Sequence, residues 1–419
     1  MKTPELLFFR YFPAIFLTCT LTFHGVFSEF NDSKLLPVEQ FEKFRTDEII
    51  NYWGYPSEVH KVQTEDGYIL TNFRMPNPGG YPILMLHGLT VSSDCWFLRT
   101  PQEDFVFLLW KKGYDIWFWN ARGNMYSREH VNISFSDQTN FFDFTAHELG
   151  LYDTTATIDY ILNITGYKQL ITLGHSLGTT NVMIAASLRP EYNEKVALSV
   201  LWAQSVYLSH MRVKHFLDTA YSIYVRWLDF PHDTKFFIYG QDPEIVKRGL
   251  CAKGSPLKGM CIMLLRELSG PNSNQGNKNS ADKMMNRIPT GSSIWVIRQM
   301  IQNMRNGKFI PLNFNPEKNL MKYGVKKPLE YPIENVTVPT ALYYACCNDF
   351  LSASQDNHIL MKKIPNLVQF YEIPYKKFNH GDFLWAKDSY DLFYKDVIGL
   401  IDKYSGFSSV QNKTNPVIK

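Results

Sequence analysis

The sequence predicts an α/β fold: a mostly parallel central sheet flanked by helices, with a mainly helical insertion between two parts of the core. Three observations predict it. Gly174-His175-Ser176-Leu177-Gly178 stands between the apolar run Leu170-Ile171-Thr172-Leu173 and a helical stretch from Thr179 to Ser187. Further short apolar runs, Ile83 to Leu86, Ala341 to Ala345 and Leu367 to Ile373, have the length of buried strands and end in loop residues. Between about 206 and 330 the chain instead becomes helical and aromatic.

Taken in order, residues 1–28 read as a secretory signal peptide. Lys2 and Arg10 precede the apolar stretch Tyr11 to Leu21, and cleavage options follow near Val26-Phe27-Ser28. The apolar core is too short for a membrane anchor, and Pro13 and several threonines argue against one. No later stretch approaches about 18 uninterrupted apolar residues, so the mature chain is expected to have no transmembrane span. Residues 29–205 form the first part of the core, including the strand Ile83–Leu86 and the Ser176 turn. Residues 206–330 form a cap with a lid, carrying Tyr221, Tyr224, Trp227 and Phe230, then Ile262-Met263-Leu264-Leu265, then a polar loop from Ser269 to Ser280. Most of these apolar residues pack the cap on the core, and some are expected to form a lipid-facing surface when a lid opens. Residues 331–405 complete the sheet. Their last helix is capped by Ser389, with Phe393, Val397, Leu400, Ile401 and Tyr404 at helical spacing. Residues 406–419 are a tail.

The Ser176 turn is the informative element. A Gly-x-Ser-x-Gly between strand and helix is a nucleophile elbow: a sharp turn lifts the hydroxyl above the sheet edge, and glycine removes side chains that would clash there. Ser176 then sits at a helix N-terminus, where free N–H groups favour developing negative charge. Asp349 and His380 each follow an apolar run, which places them on the same rim in the order Ser…Asp…His. Asp356 and Asp382 are rival acids and His358 a rival base. Asp356 and His358 fall in a helical stretch, which favours Asp349 and His380. His87-Gly88-Leu89, just after Ile83–Leu86, is where a second oxyanion N–H would arise. His87 and His175 read as structural, the latter packed beneath the nucleophile, and His147 with Glu148 as a structural network.

Composition narrows the function. A formal charge of +3 (43 basic against 40 acidic residues) with no basic stripe gives no reason to expect nucleic acid as a partner. No His-Glu-x-x-His or zinc-like spacing occurs, so no metal is expected. Asn31, Asn132, Asn163, Asn335 and Asn412 each begin a glycosylation sequon. Cys19 leaves with the signal, so Cys95, Cys251, Cys261, Cys346 and Cys347 remain, and an odd count leaves at least one free thiol. Cys346-Cys347 are expected to stay reduced and buried at a strand end.

The chain resembles the acid lipase family of α/β-hydrolases, the group of gastric and lysosomal acid lipases, from about Ile49 to Tyr404. The blocks that carry the resemblance are Gly54-Tyr55-Pro56 with Thr64 to Leu70, His87-Gly88-Leu89, Gly113 to Trp117 with Asn120 to Asn124 and Tyr126-Ser127-Arg128, Phe144 with His147-Glu148 and Tyr152-Asp153, Asn348 to Leu351, and Asn379-His380 with Asp382-Phe383. Departures are Leu177 for Gln, Trp119 for Gly, Ser352-Ala353-Ser354 for Ala-Asp-Pro, and Gly381 for Leu. None removes a catalytic group.

The resemblance implies a serine hydrolase of neutral-lipid esters, triacylglycerols and cholesteryl esters among them, acting at a lipid–water interface through an acyl-enzyme. Ser176 would be nucleophile, His380 base, Asp349 the orienting acid, and Leu89 and Leu177 the oxyanion donors. No cofactor is implied. A Cys251–Cys261 disulfide, a monomer, and an extracellular or lysosomal destination are implied likewise. The alternatives are a catalytically silent lipid-binding member of the fold and an esterase of soluble short-chain esters. An ordinary histidine is half-protonated near pH 6.5, so activity at low pH would require a base depressed by burial or a positive neighbour.

Overall fold

The computed structural model describes residues 35–227, 235–236, 267–271, 273–276 and 278–407. The signal segment, Asn31, Asn412, Phe230, Cys251, Cys261 and residues 262–265 lie outside the described residues, as do the side chains of Tyr221, Tyr224 and Trp227.

Among the described residues, nine strands join in one sheet. They are β1 (Glu58–Gln63), β2 (Tyr68–Met75), β3 (Pro82–Leu86), β4 (Asp115–Phe118), β5 (Glu129–His130), β6 (Leu170–His175), β7 (Val196–Trp202), β10 (Thr340–Tyr344) and β11 (Leu367–Glu372). Two more, β8 (Lys235–Phe236) and β9 (Ser292–Ser293), pair separately and antiparallel. The main order is β1-β2-β4-β3-β6-β7-β10-β11, with β5 beside β2. β1, β2 and β4 pair antiparallel, and from β4 through β11 every pairing is parallel.

The central strands read as unbroken apolar runs because both sheet faces are covered. Side chains alternate between two cores. Ile83, Met85, Ile171, Leu173, Val200 and Trp202 face one, with Phe105 and Ile401 from the helices Phe105–Lys111 and Lys395–Ser405. Leu84, Leu86, Leu170 and Leu201 face the other, with Ile158 and Met183 from the helices Thr155–Thr165 and Leu177–Leu188. A register slip of one residue would exchange these sets. From β3 the chain steps to β4 on one side and later to β6 on the other. That reversal opens a crevice at the C-terminal ends of β3 and β6, where this topology binds ligands.

Three sequence expectations need correction. Cys346 and Cys347 are joined in a disulfide, with Cα atoms 3.7 Å apart. β10 ends at Tyr344, so the pair falls in the half-exposed bend beyond it and not in the core. Cys95 is a free, buried cysteine. Ser389 does not cap the last helix: its own backbone is helical and its hydroxyl donates back to Ala386 O, because the helix enters through a wide turn at Tyr390–Tyr394. The polar Ser269–Ser280 loop ends early, since a helix starts at Lys278 and runs to Arg287.

Candidate active site

Ser176 follows β6 directly and caps the helix Leu177–Leu188 with φ 53° and ψ −120°, a region L-residues rarely adopt. The flanking glycines explain how the turn closes. A Cβ on Gly174 would lie 2.7 Å from Gly178 C, and one on Gly178 would lie 2.3 Å from Leu86 O. Ser176 N donates to Trp202 O at 3.1 Å, tying the turn to β7. Thr179 Oγ1 donates to Ser176 O at 2.7 Å.

Asp349 lies five residues beyond β10, with its side chain fully buried. Its Oδ1 accepts the N–H groups of Leu351 at 3.0 Å and Ser352 at 2.7 Å. The departure at Ser352 therefore keeps the backbone contact that holds the acid. His380, beyond β11, places Nδ1 3.1 Å from both Asp349 oxygens. A carboxylate can only accept, so Nδ1 carries the proton and Nε2 presents its lone pair. Ser176 and His380 line one cavity of about 740 Å³. Ser176 Oγ makes no hydrogen bond among the described residues, and hydroxyl–imidazole bonds are commonly loose before substrate binds.

The rival groups are engaged elsewhere. Asp356 holds His210 Nδ1 at 2.7 Å and Ser209 Oγ at 2.9 Å. His358 Nδ1 donates to Ser354 O within its own helix. Asp382 accepts from Asn379 N at 2.9 Å, and burial raises its carboxyl to about 6.

The N–H groups of Leu89 and Leu177 donate no hydrogen bond within the protein, among the described residues. Leu177 opens its helix, where N–H groups lack intrahelical partners. Gly88 lets its backbone approach: a Cβ there would come within 3.2 Å of Ser176 Cβ.

Burial lowers the pKa of the supporting histidines, which favours their neutral form at neutral pH. His87 Nδ1 donates to Gly88 O at 2.7 Å, its Nε2 accepts Ala121 N–H at 3.2 Å, and burial lowers it to about 4. Trp119 lies against this ring with centroids 4.8 Å apart. His175 Nε2 donates to His380 O at 3.0 Å. Burial first, then the nearby His380, lowers His175 to about 3. Its Nδ1 is buried without a hydrogen-bond partner among the described residues. His147 and Glu148 stand in the expected network: His147 Nδ1 meets Tyr331 OH at 3.1 Å. Burial would raise Glu148, but Lys322 at 3.1 Å and His147 beside it hold its carboxyl at about 2.

Sequence reasoning missed Ser269, Gly270 and Pro271. They form a strap across the Asp349 and His380 loops. Ser269 O accepts His380 N–H at 3.2 Å, Gly270 O accepts Asn379 Nδ2 at 2.9 Å, and Pro271 O accepts Asn348 Nδ2 at 2.8 Å. The sequence offered one signal, Gly270. Its φ of +123° suits glycine, and a Cβ there would fall 1.7 Å from Asn348 O.

A mostly parallel sheet with an elbow serine at its topological switch defines an α/β-hydrolase, and comparison with known proteins agrees. The family model described as "Partial alpha/beta-hydrolase lipase region" matches residues 46–100, and "alpha/beta hydrolase fold" matches 81–229. Lipase 1 of Drosophila melanogaster is 35% identical over 366 residues, covering 87% of this chain and 81% of that one. Gastric triacylglycerol lipase of Homo sapiens is 32% identical over 397 residues, covering 91% and 96%. A solved bacterial membrane phospholipase A shares the fold, with TM-score 0.51 and 12% identity over 95% of this chain and 99% of its own. The chain belongs to the acid lipase family of the α/β-hydrolases, and with that family it is a carboxylic ester hydrolase.

Proposed function

We propose that this protein is a serine lipase that hydrolyses neutral-lipid esters, triacylglycerols first and cholesteryl esters also. The observation that carries the reading is the His380–Asp349 pair beside Ser176 in a cavity of about 740 Å³. Met211, Met284, Met300, Met304, Leu217 and Trp385 wall that cavity. The volume is that of a ligand pocket, and methionine adapts to irregular apolar shapes.

In the proposed reaction His380 Nε2 takes the Ser176 proton as Oγ attacks the ester carbonyl. Asp349 holds the imidazole tautomer and stabilises the imidazolium. Leu89 and Leu177 N–H groups receive the oxyanion, each donor of this kind contributing roughly 2.7–4 kcal/mol. His380 returns the proton to the leaving alcohol, and water then releases the fatty acid by the same route.

The same reading makes 206–330 a cap, sends the chain through the secretory pathway to the extracellular space or lysosome, and has it act as a monomer. It pairs Cys251 with Cys261 and glycosylates the five sequons. Asn132 and Asn163 are exposed. Asn335 is half-buried, and its Nδ2 donates to Ser187 O at 3.3 Å, which leaves one amide hydrogen for a glycan to replace. Among the described residues no helix is long and apolar enough to cross a membrane.

The test is hydrolysis of emulsified long-chain triacylglycerol by the secreted glycoprotein beside Ser176→Ala, from acid to neutral pH. Fatty-acid release by the wild type alone supports the proposal. No release from triacylglycerol, cholesteryl or short-chain esters overturns it in favour of a silent lipid-binding protein. Release from short-chain esters only would make it a soluble esterase.

A further inference from the structure

We infer that the segment from Leu320 to Leu329 is a docking surface for a lipid particle coated with anionic amphiphiles. Leu320, Met321, Val325 and Leu329 are 50%, 79%, 39% and 75% exposed. They are four of the ten exposed large hydrophobic residues among the described ones, gathered within one short stretch. Apolar residues scattered singly are ordinary on a surface, whereas four exposed ones within ten consecutive residues are a concentration of the kind that interaction sites carry.

Charge selects the partner. Lys326 and Lys327 lie between Val325 and Leu329 in the sequence, are exposed, and form no ion pair among the described residues. Lys318 and Lys322 of the helix Pro316–Tyr323 are occupied by Asp143 and Glu148. Glu317 is on the first turn of that helix, and Glu330 faces Lys308 at 3.4 Å. Apolar side chains with free lysines match an interface of acyl chains and anionic head groups.

The position suits a lipid-consuming site, and in this respect the inference rests on the proposed function. The helix Ile294–Asn306 turns Ile297, Met300, Ile301 and Met304 into the cavity that holds Ser176. Its Trp295 contacts Phe314, with centroids 5.2 Å apart, and Lys318 lies over the Trp295 ring. The patch is thus mounted on the element that walls the cavity. Its anchors Asp143 and Glu148 precede the helix Thr155–Thr165, which runs back to the start of β6. They therefore lie toward the sheet edge where β6 delivers Ser176.

The test is flotation of the full secreted protein with vesicles of phosphatidylcholine alone or mixed with phosphatidylglycerol. The wild type should prefer the mixed vesicles and lose that preference at high salt. Lys326→Glu with Lys327→Glu should weaken mixed-vesicle binding by at least about 25-fold, taking roughly fivefold per lysine. Met321→Asp with Leu329→Asp should weaken binding to both. Each variant should hydrolyse a soluble short-chain ester at the wild-type rate. Wild-type binding by both variants, or no vesicle binding by the wild type, overturns the inference. So does a wild-type dimer that Met321→Asp dissociates, since a second copy would then own the patch. Absence of hydrolysis of both soluble and emulsified esters by the wild type would instead strike the proposed function, leaving the binding result to be read alone.

Discussion

Replacing His175 with Phe separates two roles that the structure gives this ring. The phenyl keeps the apolar packing beside His380, whose ring centroid lies 4.9 Å away. It removes the Nε2 donor and leaves His380 O buried without its 3.0 Å partner. An orphaned buried acceptor costs about 1–3 kcal/mol. If that cost falls on the position of the base, kcat drops roughly 5- to 150-fold. His175→Gln, which carries an amide donor to similar reach, should recover most of it.

The effect on stability depends on pH, with a definite sign. His175 stands at about 3 in the fold against 6.5 when exposed. The folded state therefore binds fewer protons, so the neutral ring's contribution is full above pH 6.5 and is lost as pH falls toward 3. At about 1.36 kcal/mol per unit, wild type loses on the order of 2.7 kcal/mol through this ring between neutrality and about pH 4.5. Phe cannot titrate. His175→Phe should be less stable than wild type near pH 7, and the gap should close or invert near pH 4.5. Thermal unfolding at both pH values, beside kcat on a soluble ester, reads the two effects. An equal gap at both would refute a buried neutral His175, and an unchanged kcat would refute its hold on His380.

Other outcomes follow from the same geometry. Asp349→Asn should leave the fold intact and lower kcat by about 10⁴-fold, because the amide can donate to Nδ1 and favour the wrong tautomer; a loss under tenfold would remove Asp349 from the reaction. Gly178→Ala puts a methyl 2.3 Å from Leu86 O, a backbone atom that cannot yield cheaply. Thermal unfolding and activity should both fall, and a variant with wild-type behaviour would contradict the turn. Gly270→Ala should displace the strap, lowering kcat more than tenfold and stability by about the 1–3 kcal/mol that local strain of this kind costs; an unaltered kcat would reduce the strap to a passive loop. Glu148→Gln removes a carboxylate held at about 2, and should destabilise the protein at neutral pH and progressively less as pH falls toward 2.

Local signals made much of this legible. The apolar runs at β3, β6, β10 and β11 are short and bounded by loops, so their length and flanks identified them. Gly174 and Gly178 announced a close backbone approach, which Leu86 and Thr179 supply. Asp349 and His380 could be placed because each follows a strand end. What could not be read depends on distant partners. Ser269 acquires meaning only when the insert folds against loops about 80 and 110 residues later, and a polar stretch gives no hint of which carbonyl will be used. Ser389 looked like a cap, yet the wide turn after it made its backbone helical and spent the hydroxyl on Ala386. Cys346-Cys347 looked buried because the apolar run seemed to reach them, but β10 ends two residues earlier.

The most direct test of the central claim is to trap the nucleophile. The secreted protein would be treated with a long-chain alkyl phosphonate ester and its adduct located by peptide mass spectrometry. The account predicts one adduct, on Ser176, formed with loss of activity, absent in Ser176→Ala, and formed far more slowly in His380→Ala. An adduct on another residue, or a Ser176→Ala protein that still hydrolyses lipid esters, would contradict it.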